Sequence, residues 1–182
     1  MNISAVWLWS TSPVGDNGLA CSIQVIEKAA SWALNLNKKS MPLLRIDPIR
    51  VVIDTNVWLS ALIFGGKPRQ VVELFIFGLI AVVISEEIFT AMRRKVRQKF
   101  PEFISDLKKM ELLIRADAEI VLLGEITINI SRDPNDNHIL ETAILGNCTH
   151  IITGDKDLRD INKYKKLKIV TPSEFLESNK AY

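Results

Sequence analysis

Cysteine is scarce in this chain: Cys21 and Cys148 are the only two in 182 residues, far apart and in no CxxC or Cys/His spacing. A disulfide scaffold and a structural zinc site are thereby disfavoured, and a reducing cytoplasm is the expected setting. Histidine is as rare. His138 and His150 stand alone, read best as surface or packing residues, and leave no Ser/His/Asp or Cys/His arrangement for nucleophilic catalysis. Excess charge is missing too, since 23 basic against 21 acidic side chains leave a formal +2. Net charge therefore argues for no nucleic-acid partner, and any such case rests on where the charges sit. No stretch approaches the roughly 20 apolar residues of a membrane span. The most apolar one, residues 71–84, is interrupted by Glu73 and Gly78. Residues 1–9 lack a basic start and run into Ser10-Thr11-Ser12-Pro13, which reads poorly as a signal peptide.

What remains is an ordinary globular composition, 48% hydrophobic and 24% charged, long enough for one core-bearing domain and an appendage. The character of the chain changes near residue 50. Trp7, Trp9 and Trp32 lie before it, in a stretch with one plausible helix at about Ser22 to Leu36. Met41 stands just ahead of the regular part. Residues 1–49 read as an arm of unknown role, dispensable or an over-long assigned start, with a helix packed on the domain as the competing reading. Residues 50–178 form the expected domain, and 179–182 a tail.

From Arg50 onward, β-branched runs alternate with helical periods, the pattern of βαβ units and a parallel sheet. Strands are expected at Val51–Ile53, Ile80–Ile84, Ile120–Leu123, His150–Thr153 and Lys168–Val170. A short helix through Trp58 and Leu62 follows the first strand. Pro68 and Gly78 bracket a second helix. Ser85 caps a third, with Glu86 and Glu87 at its positive end and Ile88, Met92 and Val96 inward. Helices over Pro101 to about Arg115 and Asn135 to Gly146 come next, and Thr171-Pro172-Ser173-Glu174 reads as a capping box opening the last.

Placed on these elements, the carboxylates become informative. Asp54 follows the first strand directly, and Asp155 follows the fourth after a single glycine. Both sit at carboxyl ends of parallel strands, the edge where open α/β sheets bind ligands. Asp157 stands two residues beyond, and Asp133-Pro134-Asn135-Asp136 places further acids at a helix start. Converging carboxylates without a matching Lys or Arg motif call for a hard cation, Mg²⁺ or Mn²⁺. Each string also has a plain structural explanation. Asp133 and Asp136 suit a helix start, Asp54-Thr55-Asn56 a cap, and Gly154-Asp155-Lys156-Asp157 a polar turn.

The strings Val52-Ile53-Asp54-Thr55-Asn56-Val57, Asp133-Pro134-Asn135-Asp136-Asn137 and Ile152-Thr153-Gly154-Asp155-Lys156-Asp157-Leu158, in this order, resemble a PIN domain. They look most like the bacterial branch of toxin components of toxin–antitoxin systems, similar to VapC-type toxins, over about residues 50–178. The resemblance implies a three-layer α/β/α fold with a central parallel sheet. It also implies Mg²⁺- or Mn²⁺-dependent phosphodiester hydrolysis, usually of RNA, a cognate antitoxin partner, and often a homodimer. Carried over by position, Asp54 is the first metal ligand, Asp136 the third acid, and Asp155 with Asp157 the fourth. Asn56 would orient a carboxylate or a water.

The chain departs from that pattern at the second acid. Counting about six residues beyond Ser85 reaches Ala91, where relatives carry Glu. Glu87, one helical turn earlier on the same face, is the candidate replacement. The expected consequence is weak or metal-demanding nuclease activity, because site charge sets much of divalent-ion affinity. Arg93, Arg94, Lys95, Arg97 and Lys99 form a basic run suited to a phosphate backbone, against the plainer reading of a solvated helix face. Lys163, Lys165, Lys166 and Lys168 make a second run. A haloacid-dehalogenase-type phosphatase wants an Asp two residues after the first, where this chain has Asn56. A catalytically impaired PIN domain that binds RNA or a protein partner is the alternative from another class.

Overall fold

The computed structural model describes residues 48–124, 134–161, 163–164 and 166–179, and of Pro134, Asn135 and Lys163 the backbone alone. The arm at 1–49 with its helix and tryptophans, Cys21, Asp133, Lys165 and most of the tail lie outside the described residues, apart from Pro48 and Ile49 at the arm's end.

Along the chain run β1 (Ile49–Ile53), α1 (Thr55–Ile63), α2 (Gly66–Ile76), β2 (Ile80–Ser85), α3 (Glu86–Lys99) and a 3₁₀ turn (Pro101–Phe103). Then come α4 (Ile104–Asp117), β3 (Glu119–Val121), α5 (Pro134–Leu145), β4 (His150–Ile152), α6 (Lys156–Asp160), β5 (Lys163–Tyr164), β6 (Leu167–Val170) and α7 (Pro172–Ser178). The sheet order is β3-β2-β1-β4-β6-β5. Every neighbouring pair is parallel except β5–β6. The expected α/β fold with a central parallel sheet is thus present.

Its central strands are apolar because both faces are covered. Val51, Val52 and Ile53 are fully buried, as are Ile151 and Ile152 beside them. From β1 the chain steps to β2 and β3 in one direction through α1 to α4, then jumps back to β4 through α5. Right-handed crossovers in opposite directions put the two helical groups on opposite faces, which gives the three layers. On one face Trp58 of α1 meets Phe75 of α2 edge-on at 6.2 Å. On the other, α5 lies over β1, β2 and β4. Its end comes down so closely that a Cβ on Gly146 would stand 2.5 Å from a Val83 methyl, so only glycine fits there.

Most boundaries agree with the hydrophobic periodicity. Gly78, just past α2, has φ 69°, the left-handed conformation that ends a helix without strain in glycine. The capping box at α7 is formed, with Thr171 Oγ1 accepting from the Glu174 N–H and Glu174 Oε2 from the Thr171 N–H. Differences lie at short elements. The third strand is Glu119–Val121 rather than residues 120–123, an edge strand whose Glu119 and Ile120 are exposed and only Val121 half-buried. Residues 101–103 wind as a 3₁₀ turn before α4, as Pro101 favours at a helix start. The five-residue α6 and two-residue β5 were not anticipated, being shorter than one period of any pattern.

Candidate active site

Strand β1 ends at Ile53, so Asp54 is delivered to the carboxyl edge of the sheet, with its N–H bonded to the Ile152 carbonyl at 3.0 Å. It occupies the position that caps α1, yet its side chain makes no capping hydrogen bond. Instead Oδ2 accepts from the Thr153 hydroxyl at 2.8 Å, in a buried setting. The side chain is 4% exposed. Burial raises its pKa above the usual 3.8, opposed by the Thr153 hydroxyl, the Lys95 charge and, more weakly, the backbone N–H of Asn56. The charge of Asp155 adds to the upward push.

Strand β4 supplies the second acid. Thr153 Oγ1, while donating to Asp54, accepts from the Asp155 N–H at 2.9 Å. One hydroxyl thus ties the ends of two adjacent parallel strands and sets the two carboxylates as electrostatic neighbours. Asp155 then caps α6, its Oδ1 taking the Asp157 N–H at 3.0 Å. Asp157 itself is exposed. Asp136 comes from a third direction. Helix α5 runs back antiparallel to the strands after β3, so its first turn, with Asp136, starts at the same carboxyl edge. There Asp136 is buried at 6% exposure.

Helix α3 closes the site. Glu87, Ala91 and Lys95, spaced by four, share one side of that helix, and Lys95 Nζ donates to Asn56 Oδ1, two residues from Asp54, at 2.8 Å. Ala91 is buried and offers only a methyl. Glu87 is half-buried, and its Oε2 is buried with no hydrogen-bond partner. An orphaned buried carboxylate oxygen is costly and is what a cation ligand looks like before the cation arrives.

Sequence reasoning missed Thr153, which had only its place before Gly154-Asp155 to mark it. Elsewhere on α5, Glu141 is buried at 8% exposure with an unpartnered Oε2. The basic run is split by the structure. Arg93 donates to both carboxylate oxygens of Glu111 at 3.1 Å and lies 3.9 Å from Glu86. Lys95 is turned to Asn56, whereas Arg94, Arg97 and Lys99 are exposed.

The donors are hard oxygens, the chemistry suited to Mg²⁺ or Mn²⁺, and the orphaned Glu87 oxygen fits that use. Their number is small. Among the described residues no three His, Cys, Asp or Glu side chains stand close enough to share an ion. Among the same residues no helix is long and apolar enough to cross a membrane.

Comparison with known proteins gives this edge a family. An uncharacterized protein of Methanocaldococcus jannaschii is 34% identical over 141 residues, covering 71% of this chain and 90% of the relative. A chain from the crystal structure of VapBC2 of Rickettsia felis, bound to a DNA fragment from their promoter, superimposes with a TM-score of 0.48 at 14% identity. That match covers 66% of this chain and 97% of the other. The sequence profile of the PIN domain matches residues 50–157, a span that takes in Asp54, Asp136, Asp155 and Asp157. With its acids at the carboxyl edge of the parallel sheet and this profile across more than half its length, the chain belongs to the PIN domain family.

Proposed function

We propose that this protein is a divalent-metal-dependent nuclease acting on RNA, the toxin of a toxin–antitoxin pair, with an ion site of low affinity. PIN domains are as a family metal-dependent nucleases. The observation that carries the reading is the buried Asp54 carboxylate, linked through one threonine hydroxyl to the strand end bearing Asp155. Asp54 and Asp155, electrostatic neighbours at adjacent strand ends, would hold the ion, and Asp136 and Glu87 would have to close in on it to add ligands. When bound, such an ion lowers the pKa of a water and offsets charge on the phosphoryl oxygens. Thr153 keeps Asp54 in a fixed orientation, and burial of that carboxylate, 4% exposed, restricts solvent. Asn56, exposed and bonded to Lys95, is placed to receive substrate beside Asp54. Arg94, Arg97 and Lys99 supply the exposed positive charge that attracts a phosphate backbone.

The methyl of Ala91 favours a second reading, a PIN domain that binds RNA or a protein partner without cutting. An RNase assay with Mg²⁺ and with Mn²⁺, beside Asp54→Asn, separates them. Cleavage that disappears in the variant supports the nuclease. Absence of cleavage at any ion concentration, with RNA binding retained, supports the binder. A small adjacent reading frame whose product blocks the activity would support the toxin role.

A further inference from the structure

Lys95 stands apart from the other bases of α3. Arg93 is occupied by Glu86 and Glu111 on the side facing α4, and Arg97 and Lys99 are exposed. The Lys95 ammonium, on a half-buried stem, is held by a neutral amide, Asn56 Oδ1 at 2.8 Å, two residues from Asp54. Among the described residues no carboxylate pairs with it within ion-pair distance. Glu87, on the same helical face, keeps a buried oxygen without any partner, so Lys95 is not there to neutralise that acid. Fixing a long, flexible side chain costs rotamer freedom. The return is a positive charge fixed two residues along the chain from Asp54. One turn before it on the same face stands Ala91, buried and uncharged.

We infer that Lys95 is a resident cation of the reaction centre. Tethered by Asn56 beside Asp54, it supplies fixed positive charge to the centre and lowers the affinity of the acids there for divalent metal. The inference rests on the metal-site reading above and gives its low affinity a second cause, repulsion added to a lost ligand. Lys95 is then a charge-supplying positioning residue at the phosphate undergoing transfer, distinct from the backbone-tracking bases of the same helix.

The test is Mn²⁺ binding, followed by the electron paramagnetic resonance signal of the free ion, in the full chain and in Lys95→Met, Lys95→Gln, Arg97→Gln and Asp54→Asn. Removing one unit charge from beside Asp54 is expected to tighten binding about tenfold in both Lys95 variants. Arg97→Gln, exposed on the same helix, stays within about twofold under salt screening. Asp54→Asn weakens binding at least about tenfold. Lys95→Gln retains a donor for Asn56, so a change shared by both Lys95 variants reports charge and not a missing hydrogen bond. Native-like or weaker Mn²⁺ affinity in the Lys95 variants, with Asp54→Asn still losing the ion, overturns the inference and leaves the metal site standing. So does loss of RNA affinity with unchanged Mn²⁺ affinity, the behaviour of an ordinary backbone-binding base. If Asp54→Asn binds Mn²⁺ as the native chain does, or if none of these proteins binds it, the metal-site reading falls and this inference with it.

Discussion

Helix α3 has two faces that treat charge in opposite ways. Toward α4, Glu86 takes both Arg115 guanidinium nitrogens at 2.5 and 2.8 Å, Arg93 joins Glu111 and approaches Glu86, and both arginines lie over the Phe89 ring, Arg115 at 4.2 Å. Each charge there has a partner, and the Glu86 carboxyl is held below its usual range by Arg115. Toward Asp54, Glu87 leaves a buried oxygen unsatisfied, Ala91 supplies nothing, and Lys95 rests on a neutral amide. Networks that close on themselves hold elements together. Faces left open keep binding capacity, because the unmet interactions are made only when a ligand comes.

That contrast is sharpest at Asp54, where the largest effect is expected. Asp54→Asn should lower RNA cleavage by at least about a hundredfold, since it removes an electrostatic element of the centre. It should also stabilise the protein without metal. Burial raises the carboxyl above 3.8, so the folded state holds the proton more tightly than the unfolded chain. Stability is then lost as pH rises through the raised value. Near neutral pH the asparagine escapes that penalty while still accepting from Thr153. A gain of roughly 1 kcal/mol, about 2–4 °C in Tm, is expected, shrinking as pH falls toward 3.8. Thermal melts across pH check it, and an equal gain at acidic and neutral pH would refute the burial argument.

Filling the open face should have the next largest effect. Ala91→Glu restores a carboxylate one turn from both Glu87 and Lys95, and about tenfold tighter Mn²⁺ binding is expected from the added ligand charge. Cleavage at limiting metal should rise with it. No change in either would mean that this face of α3 does not reach the ion.

The closed face should respond in stability alone. Arg115→Ala removes a bidentate partner of Glu86 and a cation over Phe89, on side chains that are about one-third to under one-half exposed. Exposed pairs are worth about 0–1 kcal/mol and the cation over the ring about 0.5–1. A loss near 1 kcal/mol is expected, read by urea unfolding, with Mn²⁺ affinity unchanged. A shift in Mn²⁺ affinity would break the distinction between the two faces.

How much of this could be read from the sequence follows from the range of each interaction. Asp54 and Asp155 were legible because Val51-Val52-Ile53 and His150-Ile151-Ile152 are buried runs, and parallel topology sends whatever follows them to one edge. The helix start carrying Asp136 was legible for the same reason. Thr153 was not, because a threonine ending a strand looks like any β-branched residue until its hydroxyl is found between two carboxylate-bearing loops. The division of the basic run was equally hidden. Arg93 finds Glu111 only through the packing of α3 on α4, and Lys95 finds Asn56 across 39 positions of chain. Local pattern gives the charge of each side chain; tertiary packing decides which charges are already answered.

The smallest effect concerns the bases that packing leaves in water. Arg97 and Lys99 end α3 exposed, where a cation suits the negative end of the helix dipole. That dipole role alone predicts a slight loss of stability on removal and no effect on RNA. Binding to a phosphate backbone predicts something else: each cation taken from a phosphate should reduce the slope of log affinity against log salt by about 0.7 for a single strand. The change should be uniform across RNA sequences, since phosphates carry no base identity. Arg97→Ala combined with Lys99→Ala should thus flatten the slope by about 1.4, measured by fluorescence anisotropy over a salt series. Arg93→Ala should leave it unmoved, because that guanidinium is already held by Glu86 and Glu111. Equal flattening by all three would mean that the closed face opens to bind RNA, and the contrast between the two sides of α3 would not survive.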